Sequence, residues 1–414
     1  MSFTLAAEKG GRFSDLFELD GSGAPLLLDG VHPISNLLSL SAEEVLELFR
    51  RSQLVDFSRV IGEIEGEGNP LHRLFGELGR IAAEDPGNRF NDLDLFEPGA
   101  LQRMFAGLHE HVMLHAVWRH PFFVRIFEGD FERSHLESFA LNYFNQVKNT
   151  RQCVALALGR FSGLIPLPYG CLNERVSELA QIVLAQLLAD EYGVGIHGIE
   201  EYPDLATLLG STTHIVMYRQ LFEGLGIPFE RQDVPMLHGV ADNVLIQRLL
   251  AGHPEFELVE SLASVGLGME WGVPEFFSLL LGGMIRWAWR ERVPLTQRHL
   301  VVFISHVQYD VLHAISVMLV TSLFGHETAA LEKIRQATNM LMSGRYNMMS
   351  GLYRHIFNEP CDDIDQIGLA PRYHIRDRRI ESVLLAARRE AADDRVVDAA
   401  AYKASRRVPF VFSE

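Results

Sequence analysis

The sequence predicts an all-α helical bundle, and three observations carry that prediction. Apolar residues recur at helical spacing over long stretches between Pro98 and Phe357, with few glycine or proline breaks. Alternation with period two, the mark of half-buried strands, is scarce throughout. Ionisable side chains also recur one helical turn apart inside otherwise apolar sequence, around His306, Asp310 and His313.

Taken in order, residues 1 to about 100 alternate short helical patterns (Ala42 to Arg51, Leu71 to Ala83) with breaks at Gly21-Ser-Gly23 and Gly66-Glu-Gly68-Asn-Pro70. From Pro98 the periodicity lengthens and predicts helices at about 99–127, 132–162, 172–192, 213–225, 255–290, 296–325 and 328–357. Ser134, with Glu137 three residues on, predicts a capping box at the start of the second of these. After Pro360 the chain turns polar, with a charged helix expected near Ile380 to Asp394 whose arginines form a solvated face. No internal repeat or low-complexity tract is visible. The expected organisation is an N-terminal helical extension over 1–104, a main helical domain over 105–357 and a C-terminal tail over 358–414.

The bulk numbers narrow the class. With 414 residues, 48% of them hydrophobic, the chain can bury a large core. A formal charge of −17 argues against nucleic acid or an anionic membrane as the main partner. Cys153, Cys171 and Cys361 lie far apart and form no CxxC, so neither a disulfide framework nor a cysteine-ligated zinc is suggested. The opening Met1-Ser-Phe-Thr-Leu-Ala-Ala-Glu-Lys9 has no basic region followed by an apolar run, and cytoplasm is the expected compartment. Leu300 to Phe324 is long and apolar enough to raise a transmembrane question, but its His, Asp and His fit a buried helix of a soluble protein better.

That helix carries the chemistry. At about 100° per residue, positions 306, 310 and 313 fall within roughly 60° of one another. Two imidazoles and a carboxylate therefore share a face among Phe303, Val307 and Ile315, where ionisable groups are costly unless paired or bound to metal. A single core histidine is more often a satisfied structural one; three converging groups, with Glu270 on the preceding helix, turn the balance towards a metal site. Glu191 ends an apolar helix in Asp190-Glu191-Tyr-Gly193, and His214 shares a stripe with Tyr218, Leu221 and Leu225.

Other patterns are weaker. Gly193-Val-Gly195-Ile-His197-Gly198 matches GxGxxG by letter but follows a helix instead of a strand, so a dinucleotide site fails its context. His111 and His115 lie one turn apart without a completing HExxH glutamate. Glu132-Arg-Ser-His135 is the chain's one Glu-x-x-His, the motif of ferritin-like di-iron bundles, but it sits at a solvent-facing helix start. No GxSxG, Walker, flavin or nicotinamide signature appears.

Together these stretches resemble the haem-oxygenase-like di-iron oxidase and oxygenase superfamily. The residues that carry the resemblance are His120-Pro-Phe-Phe-Val-Arg-Ile-Phe-Glu-Gly129 running into Phe139-Ala-Leu-Asn-Tyr-Phe-Asn-Gln-Val-Lys148, the Asp190–Gly193 helix end, His214 through Gly226, Glu270-Trp-Gly-Val-Pro274, and His306-x3-Asp310-x2-His313. The similarity spans about residues 105–357 and implies a haem-oxygenase-like helical bundle. The ligand set it implies is Glu191, His214, Glu270, His306, Asp310 and His313, holding two Fe(II)/Fe(III) ions with O₂ as co-substrate.

Two departures bear on this. Short members place about six residues between the first glutamate and its histidine, whereas 22 separate Glu191 from His214; His197 lies near the short spacing, and His214 is preferred because the sequence after it matches through Gly226. The aminobenzoate-forming branch has a tyrosine where Phe123 stands, and some N-oxygenating members carry an extra carboxylate on the helix corresponding to Phe139–Leu158, which here has none. The resemblance implies an enzyme acting on a small-molecule substrate with an external electron donor or reductase. N-oxygenation of an amine or amino acid is the first expectation, and oxidative C–C cleavage or decarboxylation of an amino or fatty acid the second. A metal-free, cofactor-less oxidase or ligand-binding protein on the same scaffold is the alternative of another class. A homodimer built on the N-terminal extension is expected by analogy. Arg286 and Lys148 lie near the ligand helices and are candidates to pair with a substrate carboxylate, a solvated surface role being the alternative.

Overall fold

The computed structural model describes residues 40–66, 68–93, 99–161, 167–194, 204–271, 273–324, 328–368, 375, 377–390 and 396–397. His197, the Gly195 and Gly198 of the GxGxxG match and the last residues of the expected tail helix lie outside these.

Helix α1 (Ala42–Glu65) starts at a capping box between Ser41 and Glu44, and α2 (Pro70–Ala82) at Asn69 with proline in its first turn. The expected single helix over 99–127 is three pieces: α3 (Ala100–Met113), a 3₁₀ turn (Ala116–Arg119) and α4 (Pro121–Phe127). Two histidines make the breaks. His115 Nδ1 accepts from the Val117 N–H at 3.1 Å and His120 Nδ1 from the Phe122 N–H at 3.0 Å, so each acts as an N-cap. Pro121 at the first position of α4 could not have continued a preceding helix.

Helix α5 (Arg133–Arg160) is capped differently from expectation. Its reciprocal box joins Glu132 and His135, two residues earlier than Ser134 and Glu137, and the Glu137 carboxylate instead accepts from Arg133 at 2.7 Å. Then follow α6 (Asn173–Glu191), α7 (Leu205–Leu209) and α8 (His214–Gly224). A two-residue strand β1 (Met236–Leu237) pairs antiparallel with β2 (Val396–Val397). Helix α9 (His238–Gly252), directly after β1, was not expected. The expected run over 255–290 splits into α10 (Leu258–Leu262), a π-helical segment (Ala263–Glu270) and α11 (Val273–Glu291). Helices α12 (Gln297–Phe324), α13 (Thr328–Phe357) and α14 (Arg378–Glu390) complete the bundle. Among the described residues the protein is all-α apart from one short strand pair.

Helix α9 packs on α13 and α5, α12 packs on α11 and α8, and the π-segment lies between α12 and α13. One apolar core runs from Leu40 to Val383 and takes in α1, whose Phe57 stacks on Trp271 at 5.2 Å and on Phe105 at 4.8 Å. Helix α12 is the one described helix long and apolar enough to cross a membrane; much of it is covered by α8, α11 and the π-segment, as in a core helix.

Candidate metal centre

Helix α12 fixes three of the six expected residues at helical spacing. His306 Nδ1 lies 2.5 Å from the Val302 carbonyl one turn earlier. A carbonyl only accepts, so Nδ1 carries the hydrogen and Nε2 presents a lone pair. Burial, reinforced by His214, holds this imidazole well below its usual range, so it is neutral and able to ligate.

Glu191 and His214 meet because the chain folds back on the end of α6. Gly193 adopts φ +64°, and a Cβ there would stand 2.3 Å from the Thr212 carbonyl oxygen, so only glycine admits this approach. Ser211 Oγ donates to the Tyr192 carbonyl at 2.9 Å, and Thr213 caps α8. His214, the first residue of α8, thereby arrives beside Glu191, the last of α6, with Nδ1 3.1 Å from Oε2. That contact is an ion pair that leaves Nδ1 without a hydrogen bond. Burial depresses His214, but Glu191 outweighs it, with Asp310 and Glu270 adding to the effect, so its pKa is raised. The 22-residue separation is thus a closed excursion between two touching ends.

Glu270 ends the π-segment. The Trp271 N–H reaches the Gly266 carbonyl at 3.3 Å, five residues back, which is the π-helical bond. A Cβ on Gly266 would lie 1.9 Å from Val317 Cγ1, so the bare glycine lets this segment press onto α12. The Glu270 carboxylate comes to 3.3 Å from His313 Nδ1, and Asp310 Oδ1 to 3.5 Å.

The six residues form two groups whose potential ligand atoms lie within 4.8 Å of one another: Glu191, His214 and His306; and Glu270, Asp310 and His313. The His214 and His306 rings lie 4.5 Å apart within the first group, and Asp310 and Glu270 of the second lie close enough to act on His214. Asp310 is 2% exposed and its Oδ2 has no hydrogen-bond partner. Burial, with repulsion from Glu270, pushes its carboxyl up to about 7. Burial depresses His313, but hydrogen bonds to Asp190, Asp310 and Glu270 outweigh it and push the imidazole up to about 12. Asp310 and Glu270, both buried, and the partly exposed Asp190 thus all converge on His313. An N/O donor set with an orphaned carboxylate oxygen suits divalent iron or manganese, and these six residues could hold such a pair.

A cavity of about 40 Å³ opens against five of the six, all but His313, and is lined further by Tyr143, Gln146, Val147, Met269, Phe277 and Arg345. The cavity-facing positions of α5 are neutral; Gln146 is held there by Gln247 at 2.8 Å and Asn243 at 2.8 Å. Arg345, 4% exposed, is the one cation among the lining residues besides the imidazoles, and its guanidinium lies 5.1 Å from the Phe276 ring. The sequence contained a signal for it: an arginine between Ser343-Gly344 and Tyr346 in an otherwise weakly charged, apolar stretch of α13. Arg286 and Lys148 do not line the cavity. Arg286 donates to the Leu40 carbonyl at 2.6 Å, and Lys148 to Asp233 at 2.7 Å. Asp190, to which the sequence pattern assigns no role, also joins the site, with Oδ2 3.0 Å from His313 Nε2.

The weaker patterns resolve into structural roles. His111 Nε2 lies 3.2 Å from the Arg335 carbonyl, His115 and His120 are caps, and Glu132 with His135 is a capping box. Phe123 is buried and stacked on Phe276 at 4.6 Å.

No family model matches this chain, and no curated protein does. Among solved structures, a TenA homolog from Pseudomonas syringae pv. tomato str. DC3000 is similar over 60% of this chain and 91% of that one, at 12% identity and a TM-score of 0.43. That likeness assigns no role to any residue here.

Proposed function

We propose that this chain is a non-haem di-iron, O₂-activating oxygenase of the haem-oxygenase-like scaffold, acting on a small metabolite by N-oxygenation of an amine or amino acid. The observation that carries the reading is the meeting of three imidazoles and three carboxylates, from α6, α8, the π-segment and α12, in two buried groups beside one cavity. Asp310 Oδ2, buried without a partner, is the atom a cation would satisfy. When bound, two iron ions would supply the O₂ chemistry, with electrons from an external donor. The chain's own residues do the rest. Phe277, Met269 and Val273 exclude water, which strengthens every electrostatic contact inside. Arg345 offers a planar, fixed cation to an anionic substituent, which favours an amino acid over a simple amine.

Oxidative C–C cleavage of an amino or fatty acid is the second reading, favoured by the absence of any acid on the cavity face of α5. Anaerobic loading with Fe(II), iron quantification and absorbance on exposure to O₂ test the first claim, with two irons per chain and a new band expected. A chain that takes up no iron would be a metal-free binding protein or cofactor-less oxidase, and the proposal would fail. Mass spectrometry of the product then separates the chemistries: a gain of oxygen marks N-oxygenation, and loss of a carbon fragment marks cleavage.

A further inference from the structure

We propose that Asp190 is a positioning residue that fixes the ring and tautomer of His313, an inference that rests on the metal reading above. Its Oδ2 lies 3.0 Å from His313 Nε2, while its Oδ1 accepts from the Gln186 amide, one turn back on α6, at 2.8 Å. Both carboxylate oxygens are therefore engaged, and the carboxylate is held from its own helix while it reaches across to α12.

The consequence for His313 follows from proton placement. A carboxylate only accepts, so it holds the hydrogen on Nε2. In the neutral imidazole that leaves the lone pair on Nδ1, the atom facing Glu270 at 3.3 Å and Asp310 at 3.5 Å. Ligating histidines commonly donate their second ring N–H to a carboxylate, which sets tautomer and orientation together. His306 meets the same requirement through the Val302 carbonyl. On His313 the outer nitrogen meets Asp190 from another helix, which fills that role in place of a backbone carbonyl. Successive helical residues point about 100° apart, so Asp190 and Glu191 serve different groups: Asp190 orients His313, and Glu191 faces His214.

The test is anaerobic titration with Co(II), followed by its visible absorption, of the full chain and of D190A and D190N, with unfolding midpoints as a folding control. The wild-type chain is expected to take up two equivalents. D190A is expected to bind one of them about 10- to 100-fold more weakly, with a changed spectrum for that ion only. D190N keeps the volume and loses the charge, so it should fall between the two, and it stands in if D190A does not fold. Two equivalents bound by both variants with wild-type affinity and spectrum would overturn the inference and leave the metal reading intact. A cobalt anomalous peak bonded directly to Asp190 would overturn it too, since the residue would be a ligand. A wild-type chain that binds no metal would sink the metal reading itself.

Discussion

Lowering the pH should destabilise this fold through His120, and the size of the effect follows from its surroundings. The ring is fully buried, with Nδ1 capping α4 at the Phe122 N–H and Nε2 3.0 Å from Ser350 Oγ. The cap requires a lone pair on Nδ1, so the neutral ring carries its hydrogen on Nε2, and protonation would destroy the cap. Burial, aided by the nearby Arg354, lowers the pKa from 6.5 to about 3. Below pH 6.5 the unfolded chain accepts a proton that the folded chain refuses until about pH 3. The contribution is therefore complete above the unfolded pKa and is lost as pH falls through that window. At about 1.4 kcal/mol per pH unit, the loss reaches about 2 kcal/mol by pH 5 and approaches 5 kcal/mol at the lower end. Because other groups also titrate, the assay is a difference: urea unfolding of wild type and H120N at pH 7.5, 6 and 5 in the same metal-free buffer. Asparagine keeps a capping oxygen and does not titrate, so its packing cost is constant with pH. The wild-type advantage should shrink by about 2 kcal/mol between pH 7.5 and 5. A constant difference across that range would mean the folded ring protonates normally, and the assigned tautomer would be wrong.

The remaining predictions concern the site. E191A and D310A should each lower Co(II) uptake from two equivalents to one, with unfolding midpoints near or above wild type; retention of both equivalents in either variant would remove that group as a centre. R345Q should raise KM about 10- to 100-fold for a substrate bearing an acid group, the range expected for a lost charge-assisted hydrogen bond, and leave an acid-free amine almost unaffected; equal KM changes would refute a recognition role. G266A places a Cβ 1.9 Å from Val317 Cγ1, so it should cost about 1–3 kcal/mol by overpacking and weaken metal binding at the Glu270 group, as read by thermal unfolding and Co(II) titration of the same sample.

Legibility from sequence varied with the physics of each element. His306, Asp310 and His313 were readable because a helical repeat that mixes ionisable and apolar residues on one face has few structural explanations. Helix α9 was not, for the opposite reason. Val240 to Gln247 are all buried, so no polar face marks the period. The break at Pro121 was visible in principle, but the capping histidines beside it resemble ligands by type. Only the distances from His115 and His120 to backbone N–H groups distinguish the two roles. Glu191 and His214 were nameable by resemblance, yet their contact depends on Gly193 lying against Thr212, a tertiary approach with no local signature. Asp190 and Arg345 acquire meaning only from what lies across from them on other helices.

Three departures from low-energy structure lie where the six residues meet. A leucine at 310 would avoid burying an unpartnered carboxylate oxygen, and replacing buried ionic groups by apolar ones is often neutral or stabilising. The π-segment has the same character. An uninterrupted α-helix would bond the Trp271 N–H to Leu267, four residues back; here it reaches Gly266, a slip of one residue, equivalent to about 100° of rotation. That slip lets Trp271 stack on Phe57 and Phe105 in the core while Glu270, its immediate neighbour, faces His313. Gly266 is needed only because the slipped segment lies so close to Val317. An orphaned carboxylate oxygen, a slipped helix and a glycine contact all become useful together if Glu270 and Asp310 must be presented to a cation, and the orphaned oxygen does nothing for the apolar core around it.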